Sequence, residues 1–98
     1  WSRDATAMSY SSIDPIVRAW TQQLGLALFT RYKDSEVRCV DVAGKKGQKF
    51  QIWIDRPKGD QVSIHAWDYK KRRQDWDANL ADLNNYLEEA IKTVLSWV

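Results

Sequence analysis

The sequence predicts an α+β fold, a two-layer sandwich in which two helices cover one face of an antiparallel β-meander, in the order α-β-β-β-β-α. Apolar residues recur every three or four positions near each end of the 98-residue chain, as in amphipathic helices. Between these stretches, short segments alternate apolar and polar residues and are separated by turn residues, as in strands. Because the connections are short, neighbouring strands must run antiparallel.

The first helix is predicted over residues 15–24. Asp14 is a good N-cap residue and Pro15 suits the first helical turn. Gly25 provides the C-terminal stop, since glycine readily adopts the left-handed conformation that ends many helices. The apolar stripe of this helix consists of Ile13, Ile16, Val17, Trp20 and Leu24.

Four strands are predicted to follow, over residues 26–33, 36–42, 48–55 and 61–67. The third and fourth alternate most clearly, so one face of each strand is apolar and the other is mixed. The apolar face carries Phe50, Ile52, Ile54, Val62, Ile64 and Ala66. Trp53, His65 and Trp67 fall on the opposite face. We expect the helices to cover the apolar face, which leaves the opposite face open.

The last helix has the clearest helical period and is predicted to run from about Asp75 or Asp77, either of which can cap it, to the last residues. A basic connector over residues 68–74 precedes it. The shared core is predicted to contain Trp20, Phe50, Ile52, Ile54, Val62, Ile64, Leu80, Leu83, Leu87, Ile91 and Val94.

Length and composition indicate one domain spanning residues 1–98, with residues 1–10 expected to be a flexible or vector-derived N-terminal segment outside the fold. One cysteine, Cys39, excludes an intrachain disulfide and favours a reducing compartment, so we expect a cytoplasmic protein. No apolar run approaches the roughly 20 residues that span a bilayer, and we expect no association with a membrane.

Few residues in the sequence could carry chemistry, and we expect no enzymatic activity, no metal and no cofactor. His65 is the single histidine, and Cys39 lies among valines, where a buried structural cysteine is expected. One His and one Cys cannot build a closed zinc site. The glycines at 44 and 47 lack the spacing of a phosphate-binding loop.

The function favoured by the sequence is that of a small non-catalytic module that binds a protein partner, or a second copy of itself, through the open sheet face. The predicted contact residues are Trp53, His65 and Trp67, because exposed aromatic side chains usually serve contact. Two alternatives remain for this face. The N-terminal segment, with Trp1 and Tyr10, folds across it, or the face is a platform on which bases stack.

The charge distribution supports a second function, weak electrostatic binding of nucleic acid. Residues 45–73 carry nine Lys and Arg against three Asp, whereas residues 74–98 carry one Lys against five acids. Loop cations reach phosphates but are poorly placed to read bases. The residues predicted for this alternative are Lys45, Lys46, Lys58, Lys70, Lys71, Arg72 and Arg73.

Overall fold

The structure, a computed structural model, describes residues 10–33 and 35–97 and confirms the α+β class and the antiparallel meander. The elements are α1 (Asp14–Leu24), β1 (Leu28–Tyr32), β2 (Ser35–Ala43), β3 (Lys49–Ile54), β4 (Gln61–Trp67), β5 (Arg73–Asn79) and α2 (Leu83–Ser96), with short 3-10 turns at Tyr10–Ser12 and Leu80–Asp82. The sheet order is β1-β2-β3-β4-β5 and every neighbouring pair is antiparallel. No helix in these two described ranges is long and apolar enough to cross a membrane.

The sheet has a fifth strand, β5, where the sequence predicted the basic connector and the start of the last helix. Seven consecutive residues of β5 pair with β4, from Arg73 opposite Trp67 to Asn79 opposite Gln61. The spacing from Trp76 to Leu80 fits a helix, but Trp76 and Ala78 also fit the two-residue period of a strand. The ladder with β4 satisfies the backbone of this segment, and α2 begins only at Leu83.

The prediction that Asp14 caps α1 is wrong. Asp14 is the first residue of the helix, and its carboxylate instead accepts hydrogen bonds from Arg38 Nε at 2.7 Å and Nη2 at 3.1 Å. Arg38 is 6% exposed and lies on the helix-covered face of β2. The pair therefore ties α1 to the sheet, and hydrogen bonding to Arg38 lowers the pKa of Asp14 despite partial burial.

The core lies between the two helices and one face of the sheet. Every residue predicted for it is buried except Leu80, which packs against its edge. Tyr10 was assigned to the segment outside the fold, but it is 5% exposed and its ring lies 4.5 Å from the Arg38 guanidinium carbon. The other residues of that segment, 1–9, lie outside the described residues.

Substitution of Leu87 tests this packing. Leu87 is fully buried between α2 and the sheet, so Leu87→Ala should lower the free energy of unfolding by roughly 2 to 5 kcal/mol. Leu95→Ala is the matched control on the same helix, because Leu95 is 56% exposed, and it should change stability by less than about 0.5 kcal/mol. Denaturant unfolding of both variants measures the difference. Equal effects would show that α2 does not pack through its Leu87 face.

Candidate functional site

The face of the sheet opposite the helices, here called the open sheet face, carries a row of side chains that crosses all five strands. Cross-strand pairing places Phe29 beside Cys39, Cys39 beside Trp53, Trp53 beside His65 and His65 beside Asp75. Directly paired residues in an antiparallel sheet lie close enough for their side chains to contact. The row is therefore aromatic towards β1 and charged towards β5.

His65 is held between two carboxylates. Its Nδ1 lies 2.6 Å from Asp75 Oδ1 and its Nε2 lies 2.9 Å from Asp55 Oδ2. Ionised carboxylates only accept hydrogen bonds, so both ring nitrogens donate in the imidazolium form. Partial burial opposes protonation, but the hydrogen bonds and charges of Asp75 and Asp55 outweigh it and raise the pKa of His65. Hydrogen bonding to His65 in turn lowers the pKa of Asp75.

Trp53 contacts the side chains of His65 and Arg73. The ring of His65 stacks on it with centroids 4.8 Å apart and planes inclined by 21°. The guanidinium carbon of Arg73 lies 5.4 Å from the centroid of Trp53, and Arg73 Nε is 3.1 Å from Asp75 Oδ1. Stacking and cation–π attraction thus hold the half-buried indole in one orientation.

A concave pocket, here called the aromatic recess, lies beside Trp53 on the open sheet face. It has a volume of about 440 Å³. Tyr32, Val37, Cys39, Trp53 and Asp55 line it from the open sheet face, and the core residues Tyr10, Arg38 and Ile54 also border it. Tyr32 is 65% exposed, and Phe29, on the same face and strand, is 47% exposed. The recess therefore combines apolar and aromatic walls with the carboxylate of Asp55 and the guanidinium of Arg38, which is itself paired with Asp14.

Trp67 lies on the open sheet face next to a strained turn. The turn joins β4 to β5 and is closed by Asp68, whose backbone N–H donates to the Arg72 carbonyl and whose Oδ1 accepts the N–H groups of Lys70 and Arg72. Tyr69 has φ of 66°, a left-handed conformation that is rare for a bulky residue. Its ring lies 4.6 Å from that of Trp67.

The structure brings the three predicted contact residues Trp53, His65 and Trp67 onto one face, the open sheet face. Cys39 also lies there, half-buried, which corrects its predicted place in the core. The neighbouring Val40 and Val42 point towards the helices, so strand alternation directs Cys39 to the other side. Burial raises the pKa of its thiol, so Cys39 is held in the less reactive protonated form.

A second concave surface, here called the hairpin cleft, separates the β2–β3 turn from the β4–β5 turn. The ladder between β3 and β4 ends at Gln51 opposite Trp67, while both hairpins continue beyond it and leave a cavity of about 910 Å³. Lys49, Tyr69 and Trp97 are among the residues that line it. Arg72 also lines the cleft and donates from Nη1 to the Trp97 carbonyl oxygen at 3.2 Å.

Five of the seven cations predicted for nucleic acid converge around the hairpin cleft. Lys45 and Lys46 lie in the β2–β3 turn, and Lys70, Lys71 and Arg72 lie in the β4–β5 turn. Arg73 lies at the start of β5, over Trp53. Lys58 lies in the β3–β4 turn, at the opposite end of the sheet.

Several residues of these surfaces were not singled out from the sequence. Tyr32 and Phe29 could have been found from the alternation of β1, but a β-bulge between Phe29 and Arg31 shifts that alternation. The roles of Asp55 and Asp75 depend on pairing across strands, which no local pattern encodes. Lys49 follows from the alternation of β3, next to the turn that carries Lys45 and Lys46.

The described residues contain no group of three or more His, Cys, Asp and Glu side chains arranged to hold a metal. His65 has both ring nitrogens engaged by carboxylates, and Trp53 lies between it and Cys39. Hydrogen bonds to both carboxylates therefore fix the orientation of the imidazole that stacks on Trp53.

No protein family matches this chain, and comparison with curated proteins and with solved structures also finds no match. The open sheet face and the hairpin cleft are therefore the features that bear on the function of this chain.

The charge of His65 should make stability depend on pH. The pKa is raised in the folded state above the ordinary value of 6.5, so folding favours the protonated form. The stabilisation is fully present below pH 6.5 and is lost as pH rises through the folded-state pKa. His65 is the single histidine, so one imidazole signal in an NMR titration reports the folded-state pKa directly.

Two substitutions test the cause of this pH dependence. Denaturant unfolding between pH 6 and 9 should show stability falling in the native chain, and His65→Gln should flatten this dependence because Gln does not titrate. Asp75→Asn should lower the measured pKa of His65, since the variant keeps the shape of the side chain and loses its charge. A His65 pKa at or below 6.5 in the native chain would contradict the arrangement described.

Proposed function

We propose that this chain is a small non-catalytic interaction module that binds a protein partner through the open sheet face. The observation that carries the proposal is the aromatic recess, a concave surface that opens beside Trp53 and Tyr32 on the sheet face opposite the helices. Its wall residue Tyr32 and the nearby Phe29 are strongly exposed, in contrast to the buried apolar residues of β3 and β4 on the opposite face. Contiguous exposed aromatic surface on a soluble domain usually marks a contact site.

The rigidity of Trp53 supports the same function. Binding loses less conformational entropy when the contacting side chain is already fixed in the free protein. Trp53 is already contacted by His65 and by Arg73 in the free chain. Tryptophan is also the residue most often found to dominate binding energy in interfaces.

The charges around the recess define the chemistry of the partner. The acids of the open sheet face are Asp41, Asp55, Asp75 and Asp77, against the cations Lys49 and Arg73 and the imidazole of His65. The fitting ligand is a protein segment with an apolar or aromatic anchor for the recess, flanked by Lys or Arg that approach Asp55 and Asp77. Asp55, Asp75 and Asp77 repel phosphates, which argues against base stacking beside Trp53.

Tyr10 bears on the remaining alternative, in which the N-terminal segment covers the open sheet face. Tyr10 is buried with the core residues on the helix side of the sheet and borders the aromatic recess beside Arg38. Trp1 lies outside the described residues. We further propose that binding takes place in the cytoplasm, where the partially buried Cys39 thiol stays reduced, and that a second copy of the chain is the first partner to test.

The aromatic recess can be tested with exposed residues whose loss leaves the core unchanged. Phe29→Ser with Tyr32→Ser should preserve the fold and weaken partner binding roughly 30-fold or more, the effect of losing a dominant interface residue. Trp53→Ser with Trp67→Ser should have the same effect and should also preserve the fold. Leu24→Ser with Leu95→Ser is the matched control, because these residues are exposed but lie on the helices.

Two measurements apply to each variant. Size-exclusion chromatography with light scattering reports self-association, and selection from a displayed random-peptide library reports the preferred ligand. Selected peptides should combine an aromatic or aliphatic residue with Lys or Arg, and should lose affinity for the recess variants only. Peptides that bind all variants equally, together with a monomeric native chain, would refute the proposal. Unfolding of the Trp53 and Trp67 variant alone would show that these two residues serve stability.

A further inference from the structure

The hairpin cleft is the most positively charged part of the molecule. Residues 43–49 and 68–73, which form the two hairpin ends, carry seven Lys and Arg against one Asp, whereas the rest of the chain carries eight against twelve acids. The meander produces this concentration, because the β2–β3 and β4–β5 turns lie at the same end of the sheet. Two loops separated by residues 50–67 in sequence thus face each other across one cavity.

The cations at this end are available for a ligand. In the part of the chain that the structure describes, ion pairs engage Arg38, Arg56 and Arg73 but none of the five lysines at the cleft. These lysines are Lys45, Lys46, Lys49, Lys70 and Lys71, and all of them are exposed. Two acids also line the cleft: Asp68, whose carboxylate closes its turn, and Asp41, which accepts the Tyr69 hydroxyl at 3.3 Å. The lysines therefore outnumber the acids at this end of the sheet.

Tyr69 adds an independent observation. A tyrosine in the left-handed region is strained, and such strain persists where the surrounding structure enforces it, most often at functional sites. Here the Asp68 turn and the Trp67 ring hold Tyr69 at the cleft with 43% of its surface exposed. Asparagine or glycine would form this turn with less strain, so the turn itself does not require the aromatic ring.

We propose that the hairpin cleft binds single-stranded nucleic acid, with the lysines contacting phosphates and a base stacking on Tyr69. An exposed aromatic ring beside a groove of unpaired cations is the arrangement that single-strand binding uses. A duplex keeps its bases stacked on one another and offers Tyr69 no face. The cleft shares no lining residue with the aromatic recess. This proposal therefore does not depend on the proposed protein-binding function.

Fluorescence anisotropy with a labelled oligo(dT) or oligo(U) strand tests the proposal. The logarithm of affinity should fall with the logarithm of salt concentration, by about 0.7 for each phosphate contact. Lys70→Gln with Lys71→Gln should weaken binding at low salt at least ~10-fold and reduce this slope by about 1.4 if each lysine contacts one phosphate. Lys58→Gln with Lys92→Gln removes the same charge away from the cleft and should change affinity less than about twofold.

Tyr69→Asn separates stacking from charge. The variant keeps a residue that tolerates positive φ, so the hairpin should remain folded, while affinity for the strand should fall roughly 5-fold or more and the salt slope should stay unchanged. Inorganic polyphosphate and poly-glutamate serve as competitors of equal charge, which distinguish a nucleic acid from a free phosphate polymer and from an acidic protein.

Weaker competition by both polymers than by unlabelled strand, with losses confined to the cleft variants, supports the proposal. Three results would overturn it: no salt-sensitive binding, an equal loss in the Lys58 and Lys92 control, or equal competition by either polymer. Thermal unfolding of each variant, followed by circular dichroism, shows whether a variant that loses affinity is still folded.

Discussion

The packing of α2 across strands β3, β4 and β5 is the interaction on which the rest of the molecule depends. The apolar stripe of α2 buries Leu83, Leu87, Ala90 and Val94 against one face of the sheet, and α1 completes the cover over β2 through Arg38 and Asp14. Both helices lie on one side of the sheet. Successive residues along each strand therefore alternate between the helix-covered face and the open sheet face.

That alternation explains how much of the molecule was predictable from the sequence. Phe50, Ile52 and Ile54 were assigned to the core, and Trp53 to the open face, because the two-residue period of β3 is unambiguous. Cys39 was misplaced because its hydrophobic neighbours suggested burial, although their alternation points it away from the helices. Composition describes a strand as a whole, whereas the period places each residue, and the period proved the better guide.

The segment before α2 shows where local patterns fail. Trp76 and Leu80 are four residues apart, which suits a helix, while Gln74, Trp76 and Ala78 suit a strand equally well. The choice is made by β4, whose free edge offers a seven-residue ladder. The same long-range pairing brings Asp75 to His65, so the most strongly connected charged cluster of the open face was not predictable from local sequence.

The two candidate surfaces owe their separation to the same topology. In a meander, successive turns alternate between the two ends of the sheet, so the lysines of two hairpins gather at one end and Lys58 is left at the other. The acids of β5 and those flanking β3 stay on the open face instead. Arg73 stands at the boundary, one residue beyond the β4–β5 turn, with its guanidinium over Trp53 and against Asp75. Because Arg73 contacts Trp53 and Asp75, it helps to fix the side chains of the open sheet face. The lysines without ion pairs are the cations that remain available at the cleft. A chain with a net charge of only +2 thus presents one cationic surface and one acidic and aromatic surface, each suited to a different chemistry.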